Sequence, residues 1–278
     1  MSSTVLVETK EDGESVGYAK GWVLHDDDTF VLQYLYVKKK YRTKKAVVSL
    51  ISAIFEKVVS ECSINKVIWR FTASDGKDEV EVTARQKLLG EIPYCKLLCV
   101  AFSWEIKIKT ECLELIRGNK IFKPWFWKEK GYVLCCWQDC TDETMSVIRQ
   151  REISANFDDR YLSPLNQDFG PGIVLDESCS FLISREKGQK PVGWIMCCTV
   201  SKEEAAINNF YVYPDERAGM VAHSLASYAF EVISWKYIYI SFSVANENRQ
   251  MKKIVEKYFM PVAETSQTLC SLRIGIVK

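Results

Sequence analysis

The chain has 278 residues and a formal net charge of +1, with 47% hydrophobic and 26% charged residues. These proportions are typical of a soluble globular protein, and the length suits about two domains. A charge so close to zero excludes a global field that attracts nucleic acid or membrane, so such a partner would need a local patch. We expect neither partner.

Targeting and redox features are sparse. The first residues lack a basic region followed by an apolar run, and no stretch of about 18 apolar residues occurs, so we expect a cytoplasmic protein without a membrane span. The 11 cysteines are an odd number with no C-x-x-C pair, which favours reduced, mostly buried thiols. The closest cluster, Cys135, Cys136 and Cys140, has the wrong spacing for common zinc sites, so no metal is predicted.

The first part of the chain alternates strand and helix patterns. We predict strands at residues 4–9, 16–24, 29–37 and 65–72, helices at 46–59 and 79–89, and two short strands within 94–109.

The character of the sequence changes between residues 111 and 130. Four aromatic residues surround Pro124 in the segment 122–127, and this proline argues against one long helix. Two interpretations remain, an aromatic platform for a flat ligand or a wedge between domains. We favour the wedge, in which large aromatic side chains are buried between domains.

The second part of the chain repeats the mixed pattern of the first. We predict strands at residues 132–137, 179–184, 191–200, 206–213, 237–244 and 269–277, and helices at 144–153, 157–166, 221–233 and 247–258.

An internal repeat relates the two parts. Residues 205–233 match residues 30–58 at a constant offset of 175 without a gap. Tyr36 then corresponds to Tyr211, and Arg42 to Arg217. The repeat predicts two tandem α+β domains, each a mixed, mostly antiparallel sheet flanked by helices, at 1–110 and 131–278 with a linker at 111–130.

The repeated unit, a strand followed by a short turn and a helix, resembles the main signature of the GNAT superfamily of acyl-CoA-dependent N-acyltransferases. The family's turn reads R/Q-x-x-G-x-G/A, and its backbone N–H groups bind the pyrophosphate of coenzyme A. Arg217 and Ala222 fit this pattern, whereas Met220 stands at the first glycine position. In the first copy Lys45 and Val47 replace both small residues.

The resemblance implies acetyl-CoA or another acyl-CoA as cosubstrate, bound by the second copy, and an amine acceptor. The implied pyrophosphate and pantetheine contacts come from the strand, the turn and a later asparagine: Phe210, Tyr211, Val212, Arg217, Ala218, Gly219, Met220, Val221, Ala222 and Asn248.

The resemblance also directs attention to acid and base groups. The family places a thiolate-protonating tyrosine at the position of Val255, and Tyr258, one helical turn later, is the candidate here. Where many members carry a glutamate base, this chain has Asn208 and Asn209, which do not take up a proton at neutral pH. His223, early in the helix, is interpreted as a partly exposed first-turn residue rather than a base.

Three functions remain open at this stage. The first is an N-acyltransferase, and the second is a non-catalytic GNAT-like binding or scaffolding protein. The third is a tRNA-dependent aminoacyl transferase, for which the run Lys38–Lys45, with six cations in eight residues, would contact RNA. The same run is also interpreted as a solvated turn or as a phosphate site.

Overall fold

The computed structural model describes residues 3–11, 13–24, 28–73, 77–118, 126–154, 162–165, 173–186 and 189–277. The strands are β1 Ser3–Glu11, β2 Glu14–Leu24, β3 Thr29–Val37, β4 Lys66–Ala73, β5 Cys95–Lys109, β6 Val133–Cys136, β7 Val174–Leu175, β8 Phe181–Glu186, β9 Gln189–Thr199, β10 Glu204–Val212, β11 Tyr239–Ala245 and β12 Ala263–Ile276. The helices are α1 Lys44–Cys62, α2 Asp78–Leu89, α3 Leu113–Arg117, α4 Phe126–Glu129, α5 Asp142–Ser154, α6 Val221–Lys236 and α7 Arg249–Ile254, which a π-helical turn, Val255–Phe259, continues.

The chain forms two compact units. Unit 1 contains residues 1–105, 244–249 and 267–278, and unit 2 contains residues 106–243 and 250–266. In both units most neighbouring strands are antiparallel, and β3–β4 and β10–β11 are parallel pairs. The predicted α+β class is therefore confirmed.

Unit 1 has the strand order β1-β2-β3-β4-β12-β5. Helix α1 packs on β1, β2 and β3, because its apolar residues recur at helical spacing and form one buried face: Leu50, Ile51, Ile54, Phe55 and Val58. Strand β5 was predicted as two short strands. It is one continuous strand of 15 residues, since neither glycine nor proline interrupts it.

Unit 2 has the order β11-β10-β9-β8-β6, with β7 paired to β9. Helix α6 packs on β8, β9 and β10, and α5 packs on β9. None of the helices that the structure describes is long and apolar enough to cross a membrane.

The units divide the chain differently from the predicted domains, and residues 106–110 belong to unit 2 whereas 244–249 belong to unit 1. Strand β12 was assigned to the second domain, but residues 267–278 belong to unit 1, where β12 pairs antiparallel with β4 from Thr268 to Gly275. The predicted linker also differs, because its described parts, 111–118 and 126–130, belong to unit 2. There Trp127 contacts Tyr228 of α6 with a ring-centroid separation of 6.4 Å. Residues 122–125 of the aromatic segment and most of the predicted helix 157–166 lie outside the described residues.

The repeat predicted from the sequence is present in the hydrogen bonding. The parallel pairing of β3 with β4 covers residues 29–32, and that of β10 with β11 covers residues 204–207, at the same offset of 175. A bulge follows at equivalent residues, Gln33 in β3 and Asn208 in β10. The two units therefore share one backbone plan.

Candidate functional site

In unit 2, β10 separates from β11 halfway along its length. The parallel pairing ends at Ile207, although β10 continues to Val212 while still paired with β9. The bulge at Asn208 lies at the point of separation. The five residues beyond Ile207 extend over roughly 16 Å at ~3.3 Å per residue, and their outer edge is outside the β10–β11 pairing. A strand edge of this kind binds an extended ligand through its backbone. Three of the predicted site residues, Phe210, Tyr211 and Val212, lie on it.

The turn after β10 leads directly into the N-terminus of α6. It is a 3-10 turn, Pro214–Gly219, which includes Ala218 and Gly219. Met220 follows with φ 58° and ψ 11°, the left-handed conformation that favours glycine. The GNAT pattern has a glycine at the position of Met220, and the backbone here adopts the conformation that a glycine would allow.

The N-terminus of α6 is suited to an anion. No side chain among the described residues caps it, and its first turn contains no acidic residue. The first N–H groups of a helix have no partner within the helix and carry its positive partial charge. Val221 and Ala222 are the first residues of α6 and provide these N–H groups.

The equivalent turn of unit 1 is closed. Thr43 caps α1, and its hydroxyl oxygen accepts a hydrogen bond from the Ala46 N–H at 3.2 Å. As a result α1 begins at Lys44, two residues earlier than α6 does in repeat numbering. Lys45, the counterpart of Met220, lies inside the helix. The Thr43 side chain occupies a position that an anion would need. The two copies therefore differ in how open the helix N-terminus is to an anion, despite their shared backbone plan.

The repeated arginine of the motif has a structural role in both copies. The Arg217 Nε donates to the Val212 carbonyl oxygen at 2.8 Å, and in unit 1 the Arg42 Nε donates to the Val37 carbonyl oxygen at 3.2 Å. Each arginine therefore fastens the turn to the end of the preceding strand. Because the closed turn of unit 1 keeps this contact, the arginine match alone does not indicate phosphate binding.

Two acidic residues in the turn of unit 2 are held by arginines. The Glu216 carboxylate accepts hydrogen bonds from Arg185 at 2.7 and 2.8 Å and from the Tyr132 hydroxyl at 2.7 Å. Burial acts to raise the pKa of Glu216, but the hydrogen bonds from Arg185 and Tyr132 outweigh burial and lower the pKa. Arg151 lies 3.5 Å from Asp215. These contacts compensate the negative charge next to the start of α6.

The basic run of unit 1 is largely paired. Lys38 and Lys40 both contact Glu14 at 3.0 Å, and Lys44 contacts Glu91 at 2.7 Å. The side-chain hydrogen bonds from Lys40 and Lys38 lower the pKa of Glu14 to about 2. Two carboxylates thus partly offset the six cations, and the run resembles a solvated turn more than a phosphate-binding patch.

We expect Met220→Gly to stabilise the protein by about 0.5–1 kcal/mol. Glycine removes the left-handed strain of about 1–2 kcal/mol, and its greater backbone entropy in the unfolded chain offsets about half of that gain. The matched control is Lys45→Gly at the equivalent residue of the repeat. Because Lys45 lies within α1, this change should destabilise by about 1 kcal/mol. Urea unfolding of both variants measures the change in the free energy of unfolding. If both variants were stabilised or both destabilised, the left-handed conformation of Met220 and the helical conformation of Lys45 would be contradicted.

The remaining predicted residues occupy different places. Tyr258 is half-buried on the π-helical turn of unit 2, next to Phe259, which packs its ring against Phe230 of α6 and Phe242 of β11. Asn248 belongs to unit 1, where its N–H donates to the Ala245 carbonyl oxygen. Burial lowers the pKa of His223.

The face of β9 and β10 under α5 carries polar groups that the sequence analysis did not select. Asn209 is 3% exposed, and its Nδ2 donates to the Ser163 carbonyl oxygen at 3.3 Å. Glu152 lies on α5, and burial raises its pKa against the opposing effect of a hydrogen bond from Ser163. The helical spacing indicates that Glu152 faces the interior, because it follows the buried residues Thr144 and Ile148 at intervals of four along one helix face.

The cysteines remain free thiols. Cys135 Sγ and Cys140 Sγ lie 3.9 Å apart, and burial, assisted by Cys135, raises the pKa of Cys140 to about 12. Within the described ranges, no three histidine, cysteine, aspartate or glutamate side chains come together as a metal site.

Solved structures resemble this chain over nearly its whole length. A tandem GNAT protein from the clavulanic acid biosynthesis pathway is 10% identical, with a TM-score of 0.59 over 98% of this chain and 82% of its own. A GCN5-related N-acetyltransferase from Sphaerobacter thermophilus is 15% identical, with a TM-score of 0.58 over 94% and 77% of the two chains. Identities this low show a shared fold alone.

The other comparisons do not indicate an activity for this chain. A conserved protein of unknown function from Staphylococcus epidermidis is 11% identical, with a TM-score of 0.51 over 98% of this chain and 94% of its own. No known family model matches the sequence, and no curated protein matches it.

Proposed function

Because this chain has the tandem GNAT fold that its sequence predicted, we propose that it is a cytoplasmic N-acyltransferase. It moves an acyl group, most simply acetyl, from acyl-CoA to an amine. Unit 2 binds the acyl-CoA, and unit 1 is a degenerate copy. The observation that carries the proposal is the combination of the β10–β11 separation with an uncapped α6 preceded by a left-handed residue.

The residues of unit 2 fit this cosubstrate. The backbone N–H groups of Val221 and Ala222 hold the pyrophosphate, supported by the positive end of the α6 dipole. The free edge of β10, from Phe210 to Val212, pairs with the pantetheine arm as an added strand. Arg217 keeps the turn in place through its bond to Val212. Acyl-CoA supplies the acyl group activated as a thioester.

Catalysis in this proposal depends mainly on positioning. The amine is held next to the thioester end of the cleft, which lies where β10 separates from β11, and proximity provides most of the rate gain. As the bond between the acyl carbon and sulfur breaks, Tyr258 protonates the departing thiolate, and the proton that the amine nitrogen loses passes ultimately to solvent. This role of Tyr258 comes from the GNAT resemblance of its sequence position.

The alternative is a non-catalytic GNAT-like binding or scaffolding protein. It is favoured by Asn208 and Asn209 at the place of the family's glutamate base and by the Cβ of Met220 at the motif glycine. The tRNA-dependent transferase is less well supported, since Lys38, Lys40 and Lys44 pair with carboxylates of their own unit.

Isothermal titration calorimetry of the full chain with acetyl-CoA tests the proposal. We expect saturable binding with one molecule per chain, because the turn of unit 1 is closed by Thr43. Two molecules per chain would contradict the assignment of unit 1. No heat of binding at millimolar acetyl-CoA would reject the enzyme and leave the non-catalytic alternative.

A further inference from the structure

The polar cluster under α5 contains two buried acceptors that lack a donor. Asn209 Oδ1 and Glu152 Oε1 are both inaccessible to solvent, and neither accepts a hydrogen bond from a residue that the structure describes. Leaving such an atom without a partner costs about 1–3 kcal/mol. Native proteins contain few of them, and each needs a structural or functional reason. Two in one cluster mark the place as unusual.

Ser163 joins the two acceptors into one group. Its carbonyl oxygen accepts from Asn209 Nδ2 at 3.3 Å, and its hydroxyl forms a hydrogen bond with the Glu152 carboxyl. The same hydroxyl oxygen accepts from the Leu165 N–H at 3.2 Å. Trp194 Nε1 donates to the Leu162 carbonyl oxygen at 2.8 Å. The segment 162–165 is thus anchored on the sheet, and the cluster is a built site rather than a loose surface arrangement.

The cluster lies at the reacting end of the β10 cleft. Asn209 directly follows the bulge at Asn208, where β10 leaves β11. A ligand with its phosphates at α6 and its arm along β10 from Val212 toward the bulge ends beside Asn209. In unit 1 the equivalent residue is Tyr34, which is 52% exposed. The buried acceptors are therefore a property of unit 2 and not of the repeat.

The two acceptors define the chemistry of a ligand that would complement them. An amide oxygen and a carboxyl oxygen both accept hydrogen bonds, so the complementary group must donate more than one N–H or O–H. A primary amine or its ammonium form does so, and its positive charge strengthens the bond to a carboxylate. An ether, a tertiary amine or a quaternary ammonium has too few donors.

We propose that Asn209 and Glu152 form the acceptor subsite of unit 2, which binds a primary amine or ammonium through its N–H groups. This inference rests on the proposed function and deepens it by naming the acceptor class and the residues that orient it. Positioned between these oxygens, the amine faces the point where β10 and β11 separate. Burial raises the pKa of Glu152, and a raised carboxyl pKa is the direction expected of a group that takes up a proton from the amine.

Methylammonium and tetramethylammonium chloride, compared at up to 100 mM on the full chain with coenzyme A present, test the subsite. The two cations carry the same charge, but only methylammonium has N–H donors. We expect methylammonium to raise the melting temperature about 3 °C more than tetramethylammonium does. Glu152→Gln and Asn209→Leu should abolish this difference, whereas Glu143→Gln, on the exposed side of the same helix, should retain it.

Equal responses to the two cations would overturn the subsite, because water alone would then account for the cluster. An undiminished methylammonium response in Glu152→Gln would also overturn it, and so would strong destabilisation of Glu152→Gln in the absence of ligand. The last result would make Glu152 a structural residue. Acetyl-CoA calorimetry on the same variants separates the two proposals. Unchanged acetyl-CoA binding with a lost amine response supports the subsite, while absent acetyl-CoA binding in every protein rejects the proposed function by itself.

Discussion

Ala222→Glu is expected to weaken acetyl-CoA binding about 100-fold. The substitution places a carboxylate in the first turn of α6, where the proposed site holds a pyrophosphate. Two like charges about 5 Å apart at the protein surface repel by about 3 kcal/mol, which corresponds to roughly 100-fold in affinity. The helix itself should tolerate the change, because an acidic residue is favourable in a first turn. Calorimetry with acetyl-CoA gives the affinity.

A control in the other copy is Ala46→Glu, in the first turn of α1 and one residue before Val47, the repeat counterpart of Ala222. A glutamate three residues after Thr43 completes a capping box, so this variant should fold at least as well as the parent. Its acetyl-CoA affinity should stay within a factor of two of the parent. If Ala46→Glu weakened binding and Ala222→Glu did not, unit 1 would be the binding copy, contrary to the proposal.

Asp176→Asn is expected to lower the free energy of unfolding by about 3 kcal/mol. The Asp176 side chain is 4% exposed and accepts hydrogen bonds from the Tyr237 hydroxyl at 2.5 Å, the Ser178 hydroxyl at 2.6 Å and Lys236 Nζ at 2.7 Å. It thereby fixes the C-terminal end of α6. The asparagine amide would present its own N–H₂ donor to groups that are themselves donors. Removing the charge from a buried network of this kind lowers stability strongly. Urea unfolding at pH 7 measures the loss.

The pH dependence of that loss identifies its cause. Burial acts to raise the pKa of Asp176, but the hydrogen bonds from Lys236, Ser178 and Tyr237 outweigh burial and lower the pKa from 3.8 to about 2. The resulting stabilisation, about 2 kcal/mol, is present above pH 4 and is lost as the pH falls toward 2. The difference between parent and Asp176→Asn should therefore shrink over this range. The exposed control Asp139→Asn should change stability by less than about 0.5 kcal/mol at pH 7, and a difference constant in pH would refute the carboxylate's role.

Comparing the two copies distinguishes the features that belong to the fold from those that would serve ligand binding. Both copies have the bulge, the end of parallel pairing and the arginine bonded to the strand-end carbonyl. Only the second copy combines a left-handed residue with a helix that no described side chain caps. The shared features therefore belong to the architecture, and the difference at Thr43 and Met220 is where cosubstrate binding is to be tested.

The sequence predicted the local structure well because local structure follows local pattern. Strand β3 was predicted at residues 29–37 and is Thr29–Val37, since a compact run of β-branched and aromatic residues is bounded by turn residues. Helix α6 was predicted to begin at Val221 and does so. The constant offset of 175 established the tandem plan without any structure, because a repeated strand, turn and helix must fold in the same way twice.

By itself, then, the sequence determined the repeat, the α+β class and the location of the turn at Arg217–Ala222. Only the tertiary structure decided that β12 joins β4, that Arg42 and Arg217 bond to strand ends, and that Glu152 and Asn209 share one buried cluster. The β12–β4 pairing and the Glu152–Asn209 cluster depend on partners tens to hundreds of residues apart, and the two arginine contacts, each between residues five apart, depend on the shape of the turn. Periodicity shows which face of an element is buried, but the groups it meets there are set by the packing of the whole unit.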